Sequence, residues 1–352
     1  MKATAEDQLA RLDEQVRRSP VGEGFVERGH FFDAVASMWV GGELVHMEDL
    51  VLHDELMDVR APTHELVIAY EILRVRRRIA GAKANWALTD AGIGVLTGYG
   101  NDPESSADAL PADMRADLYG VAESDSYSEE FAEFDALLEQ TQHLLDRVSE
   151  GKEARRPGLA VGDLIVRDPD WNEEDRLAEW KRVLRDVDDL PPTLAVALIW
   201  DAWEALEPMQ RQHWLGSQLV SAHLRARGKV TSHLFAFNVG LKAVPREQRR
   251  SQNRLTRVAC FLDAMSASAE SGMKEIARLS LAREQMTRRL IGRRASSSLP
   301  AAIELILSRP IVSAEMVAKK ARVTRRGALN LIAELDVRER TGRGRYRAWG
   351  IL

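Results

Sequence analysis

A single cysteine, Cys260, in 352 residues leaves no partner for an intrachain disulfide and no thiolate set for a zinc site. Its neighbours Val258, Ala259, Phe261 and Leu262 mark it as a small buried apolar residue rather than a nucleophile. Long apolar runs are missing too, and none approaches the roughly 20 residues needed to span a bilayer. The first residues, Met1 to Asp7, lack the apolar centre of a secretory signal. These absences point to a reducing cytoplasm and to no membrane partner. No serine or cysteine stands beside a recognisable base. The eight histidines include no i, i+4 pair flanking a catalytic glutamate, the spacing a helical zinc site needs. His46, His53 and Asp54, close to Glu48 and Asp49, could form a mixed oxygen and nitrogen site, but a solvated charged segment is the simpler reading. Gly92, Gly94, Gly98 and Gly100 lack the spacing of a dinucleotide or phosphate-binding fingerprint, so that stretch reads as a loop. The expectation is no catalytic residue, no metal and no cofactor.

What is present is helical periodicity. Hydrophobic residues make up 45% of the chain and charged ones 29%, the balance of a soluble globular protein long enough for two or three domains. Leu9, Leu12 and Val16 form one apolar stripe. Leu66, Ala69, Tyr70 and Leu73 form another, which runs out through Arg76, Arg77 and Arg78 to Gly81. Arginines suit a helix C-terminus and Gly81 suits a left-handed cap there. A helix over Asn172–Asp186 is followed by Leu190, Pro191 and Pro192, then by an apolar helix over Thr193–Leu206 that stops at Glu207 and Pro208. Leu279, Ala282, Met286 and Leu290 mark the last long helix before the tail. Trp200, Trp203 and Trp214 read as core. The class is mainly α with a small β addition.

Two stretches read as connectors. Residues 101–135 carry eleven acids and one arginine, the composition of a solvated mobile loop or of an acidic mimic that shields a basic surface. Residues 293–298 are a short polar linker. The expected organisation is an N-terminal helical region over 1–100, an acidic loop and connecting helix over 101–158, a helical domain over 159–292 and a DNA-binding domain over 299–352.

The tail carries the strongest functional signal. From Arg309 to Arg347 there are eleven Lys/Arg against four Asp/Glu, on a chain whose net charge is −5. Such a basic island points to a polyanion. A short helix opening at Ser313, a tight connection at Ala321–Val323 and a second helix capped by Thr324 have the order of a helix-turn-helix. Arg325 and Arg326 lie in the first turn of the second helix, where base edges are read, and Asn330 could pair with adenine. Leu329, Ile332 and Leu335 are expected to face the core. Gly342 and Gly344 permit a hairpin turn, and alternation would place Arg343, Arg345 and Arg347 on one face of a basic wing. Double-stranded DNA is the expected partner, met by Thr324, Arg325, Arg326, Asn330, Arg343, Arg345 and Arg347.

Upstream, Asp188–Pro192 and Ala195–Met209 resemble the approach to the active site of Fic-domain proteins, which usually transfer AMP from ATP to a protein hydroxyl. The likeness continues through Leu219–Gly228, Phe235–Val239 and the helices to Ile291, and Ala34–Glu43 resembles the inhibitory helix of that family. In this register Glu207 stands at the family's histidine, followed by Pro208 and Met209. Arg211 stands at its magnesium-binding acid, and Gln212, His213, Trp214 and Leu215 replace its Gly-Asn-Gly-Arg turn. Ser37 remains in the inhibitory segment, but Gly41 replaces its glutamate. Trp214 would obstruct an anion nest and Arg211 cannot hold magnesium, so the resemblance implies a scaffold without catalysis. A more specific resemblance is to a rhizobial family of uncharacterised helix-turn-helix proteins, carried by Glu43–Asp54 and by the ending Thr341–Leu352.

The fold expected is therefore mainly α, a Fic-like helical body with a C-terminal winged helix-turn-helix. The function expected is a DNA-binding transcriptional regulator, a homodimer whose body has room for a small-molecule or protein effector. The alternatives are a pseudoenzyme interaction module and a divergent AMP-transferase using Glu207.

Overall fold

Stripes of apolar residues at helical spacing become fourteen α-helices among the described residues of the computed structural model, which are 2–58, 61–98, 171–291, 298–341 and 347–351. The expectations for residues 101–135 and for the linker fall largely outside them. In chain order the helices are α1 (Lys2–Arg18), α2 (Gly22–Gly41), α3 (Met47–Asp54), α4 (His64–Gly81) and α5 (Asp90–Thr97). Then come α6 (Glu173–Asp186), α7 (Pro192–Leu206), α8 (Leu215–Ala226), α9 (Phe237–Ala243), α10 (Arg246–Arg249) and α11 (Arg254–Arg288). The tail holds α12 (Leu299–Ser308), β1 (Val312–Ser313), α13 (Ala314–Ala321), α14 (Arg325–Leu335) and β2 (Ala348–Trp349). Among these residues no helix is long and apolar enough to cross a membrane.

The long helix α11, about 50 Å from end to end at 1.5 Å per residue, is the spine against which α1, α7 and α9 pack. Helix α2 is the second centre and meets α4, α9 and α12. Leu9, Leu12 and Val16 are buried as their stripe predicts, and so are Leu66, Ala69 and Leu73. Trp180 and Trp203 meet edge to face with ring centroids 5.2 Å apart, and their indole N–H groups donate to Ile199 O and His213 O. A Cβ on Gly216 would overlap the Trp203 ring at 2.4 Å, so only glycine lets α8 pack this closely on α7. Cys260 is buried, which pushes its thiol up to about 11.

Two local expectations are corrected. Gly81 is not a left-handed cap: α4 ends into Ala82 with φ −81° and ψ 173°, an extended exit. Arg76 and Arg77 turn sideways into the body, where acids on other helices hold them, and Arg78 lies over the Trp86 ring at 5.2 Å. The stretch after Asp90 is not a loop. Thr89 caps α5 through Gly92 N and Gly98 closes it at φ 77°, which outweighs the glycines inside. Gly92 itself lies against the preceding 3-10 turn Trp86–Leu88, where a Cβ would sit 1.9 Å from Trp86 O.

The body also holds a buried polar cluster. Asp33 and Arg76 are both fully buried and pair at 2.5 Å. Asp33 also accepts from Asn238 N at 2.7 Å and Asn238 Nδ2 at 2.9 Å. Arg76 donates to Gln218 Oε1 at 2.7 Å and to Leu234 O at 3.0 Å. Burial pulls the Arg76 pKa down while Asp33 supports its charge. Arg77 is held by Asp54 and Glu27. The cluster ties α2, α4, α8 and α9 together with directional contacts that apolar packing alone would not supply.

Candidate nucleic-acid interface

Ser313 opens α13 as its N-cap, its hydroxyl accepting from Met316 N at 3.2 Å. The helix is stopped by Arg322 in the left-handed region, φ 54° and ψ 46°, while Val323 N bonds back to Ala318 O. That turn redirects the chain into Thr324, whose hydroxyl accepts from Gly327 N at 3.2 Å and starts α14. Ala328, Ile332 and Leu335 anchor α14 to the rest of the tail. The opposite face presents Arg325, Arg326, Leu329, Asn330 and Ala333 to solvent. The expected core role of Leu329 is thereby corrected. It is 37% exposed because its place on the helix falls between Arg325 and Ala333, away from the buried stripe. Beside arginines that can reach base edges, an exposed leucine is suited to a thymine methyl.

Of the expected contact residues, Thr324, Arg325, Arg326 and Asn330 come together on the N-terminal half of α14. Arg343 and Arg345 lie outside the described residues. Arg347 is exposed, pairs with Glu339 at 2.6 Å and lies over the Trp349 ring at 5.2 Å. Lys319, Lys320, Arg322, Arg338 and Arg340 are also exposed on the same domain. Arg309 is different, because it turns inward to Glu27 at 2.8 Å and Glu55 at 3.2 Å.

The attachment of this domain to the body was not legible in the tail. Arg28 of α2, fully buried, donates to Glu275 Oε1 at 2.8 Å, to Arg309 O at 2.5 Å and to Ile351 O at 2.6 Å. Burial, with Arg278 nearby, pulls its pKa down to about 9, so it stays a cation at neutral pH. Arg289 donates to Glu334 O at 2.7 Å, placing a cation at the C-terminus of α14 where the helix dipole favours it. Sequence spacing does contain a signal for the buried arginines. Arg76 continues the apolar stripe Leu66, Ala69, Leu73 at i+3, and a charge on a buried stripe calls for a buried partner.

The segment read as inhibitory and the altered motif meet in space. Ser37 and Gly41 of α2 line a cavity of about 220 Å³ together with Arg211, His213 and Trp214. His213 pairs with Glu204 at 3.0 Å, and that hydrogen bond raises its pKa. Glu207 is exposed in the left-handed region, φ 44° and ψ 61°, and does not line the cavity. Among the described residues there is no group of three or more His, Cys, Asp or Glu placed to hold a metal. His53 Nδ1 instead meets Asp58 at 2.9 Å.

Comparison with known proteins adds three findings. Residues 165–291 match the family described as "Protein of unknown function (DUF1612)". Residues 299–352 match the family described as "HTH DNA binding domain". Over 98% of its length the chain is 43% identical to "Uncharacterized protein y4cF" of Sinorhizobium fredii (strain NBRC 101917 / NGR234), covering 94% of that protein.

Proposed function

We propose that this chain, which belongs to the family of the Sinorhizobium fredii protein y4cF, is a transcriptional regulator whose C-terminal helix-turn-helix DNA-binding domain reads duplex DNA. The observation that carries the reading is the outward face of α14. Two arginines, an asparagine and a leucine stand in solvent at the N-terminal end of a helix capped by threonine, on a domain with a large excess of cations. Such a helix can enter the major groove while Lys319 and Lys320 of α13 meet the phosphates. The exposed pair Arg347–Glu339 is weak enough to open toward a phosphate.

We read the segments 337–341 and 347–350 as the two sides of a wing. The reading is supported by Arg340 N donating to Ala348 O, by Gly350 N donating to Arg338 O and by the antiparallel pairing of β1 with β2. We read the body as a Fic-like scaffold without catalysis. The cavity shared by Ser37, Gly41, Arg211 and His213 supports the scaffold, and Arg211 at the position of a metal-binding acid supports the loss of AMP transfer. A homodimer on a two-fold site completes the proposal, since helix-turn-helix proteins gain specificity from paired half-sites.

The test is selection of duplexes from genomic DNA by the full chain, followed by binding at rising salt. A selected duplex bound with a steep salt slope supports the reading, because phosphate contacts release counterions. Absence of salt-sensitive binding to any duplex overturns it.

A further inference from the structure

A second cavity, of about 260 Å³, lies between α2, α9 and α11 and shares no lining residue with the cavity around Arg211. Its walls are mostly apolar, with Phe25, Phe32, Val35 and Val239 among them. His233 also stands in the wall. Its Nδ1 meets Ser232 Oγ at 2.9 Å, while its buried Nε2 has no partner among protein atoms. Burial pushes this imidazole down to about 4, so it is neutral near pH 7. The polar groups of the lining include Lys242, Arg278 and Glu275. The two cations are exposed, and the one carboxylate is already shared between Arg278 and Arg28. An apolar chamber with surplus positive charge at its rim suits a ligand with an apolar body and one anionic head.

The place of Glu275 gives the cavity a further meaning. Glu275 lines it, and through Arg28 it is one contact away from Arg309 O and Ile351 O. Those two carbonyls lie just after α12, the first helix of the DNA-binding domain, and just after β2, its last strand. We infer that the cavity is an effector site for a small aromatic or alicyclic carboxylic acid, whose occupancy reaches the DNA-binding domain through Glu275 and Arg28. The inference rests on the DNA-binding reading only for the role of that domain. A carboxylate arriving beside Arg278 and Lys242 competes with Glu275 for Arg278. Glu275 is then left to Arg28 alone, and the hold of Arg28 on the two carbonyls shifts. The ligand thus interacts differently with two arrangements of one contact chain, which is the requirement for coupling.

The probe is 2-naphthoate, titrated into the full chain by calorimetry. Amide hydrogen exchange of β1, β2 and their flanks is followed in parallel, without DNA. The expected result is saturable one-to-one binding and a change of about fivefold or more in exchange around Ile311 and Trp349. Val239→Trp, which fills the chamber, and Ser271→Trp, at its exposed helical edge, should each weaken binding about tenfold or more. Gly41→Trp, in the other cavity, should not. Circular dichroism confirms folding, and two filling variants guard against one that fails to fold. Arg28→Lys keeps a charge but loses the fork that holds three acceptors, so naphthoate should bind and the exchange response vanish. No saturable binding, equal binding by both filling variants, or unchanged exchange in the wild-type protein would each overturn the inference. Failure to bind any duplex, with these responses intact, would overturn the DNA-binding reading alone.

Discussion

Arg28 and Arg76 of the helical body are fully buried and each donates to three or more protein groups, whereas Arg325 and Arg326 of the tail stand in solvent. The same guanidinium serves opposite ends in the two regions. In the body its desolvation is tolerable because Asp33 or Glu275 meets the charge and further acceptors, Gln218 and backbone carbonyls among them, take other N–H groups. In the tail it keeps its hydration, which the proposed DNA complex would exchange for phosphate and base contacts. Charge counted along the chain does not distinguish these uses, and burial does.

The comparison can be broken most directly at Arg76. Arg76→Met leaves the buried Asp33 without its ion-pair partner, and should cost about 3–5 kcal/mol of unfolding free energy in urea titration. Adding Asp33→Leu should recover much of that loss, since removing both charges ends the desolvation penalty. If the single variant lost under about 1 kcal/mol, the cluster would be no more than a surface-like pair. The next effect is on binding. Arg325→Ala and Arg326→Ala should each weaken a selected duplex by roughly 1–3 kcal/mol while leaving the urea midpoint unchanged. A fall in stability with unchanged binding would reverse the assignment of roles.

A third test uses protons. Burial pushes His223 and His233 down to about 4 and His30 well below the usual value. Their folded pKa values lie below the unfolded value near 6.5, so unfolding takes up protons between those limits and stability falls as the pH drops from about 6.5 toward 4. Each histidine contributes up to about 1.4 kcal/mol per pH unit in that window. His213 works in the opposite sense, because Glu204 raises it. Urea midpoints at pH 7 and pH 5 read the net effect, and equal midpoints would show that these histidines are hydrated. The smallest expected effect is at the wing. Arg347→Ala should lower the salt slope of binding by about one and leave specificity unchanged.

Much of this architecture was legible in the residues. The stripe Leu9, Leu12, Val16, the proline-started α7 and the Thr324 cap are local signals, written within one or two turns of helix. The helix-turn-helix was legible for the same reason. Leu329 is hydrophobic without being buried, because its angular position puts it with Arg325 and Asn330. Gly81 takes no left-handed cap, because a cap depends on where the chain goes next. The Arg28 contact was invisible, since its partners lie 247, 281 and 323 residues away.

By itself the sequence determined the helices, the basic tail and the turn between α13 and α14. Those follow from periodicity, capping and charge within short windows of chain. Tertiary structure alone decided which arginines are buried, which acids meet them, and that α2 fastens the DNA-binding domain both after its first helix and after its last strand. Desolvation is a property of the whole fold, so no local pattern can state whether a charged side chain is paired inside or left for a ligand.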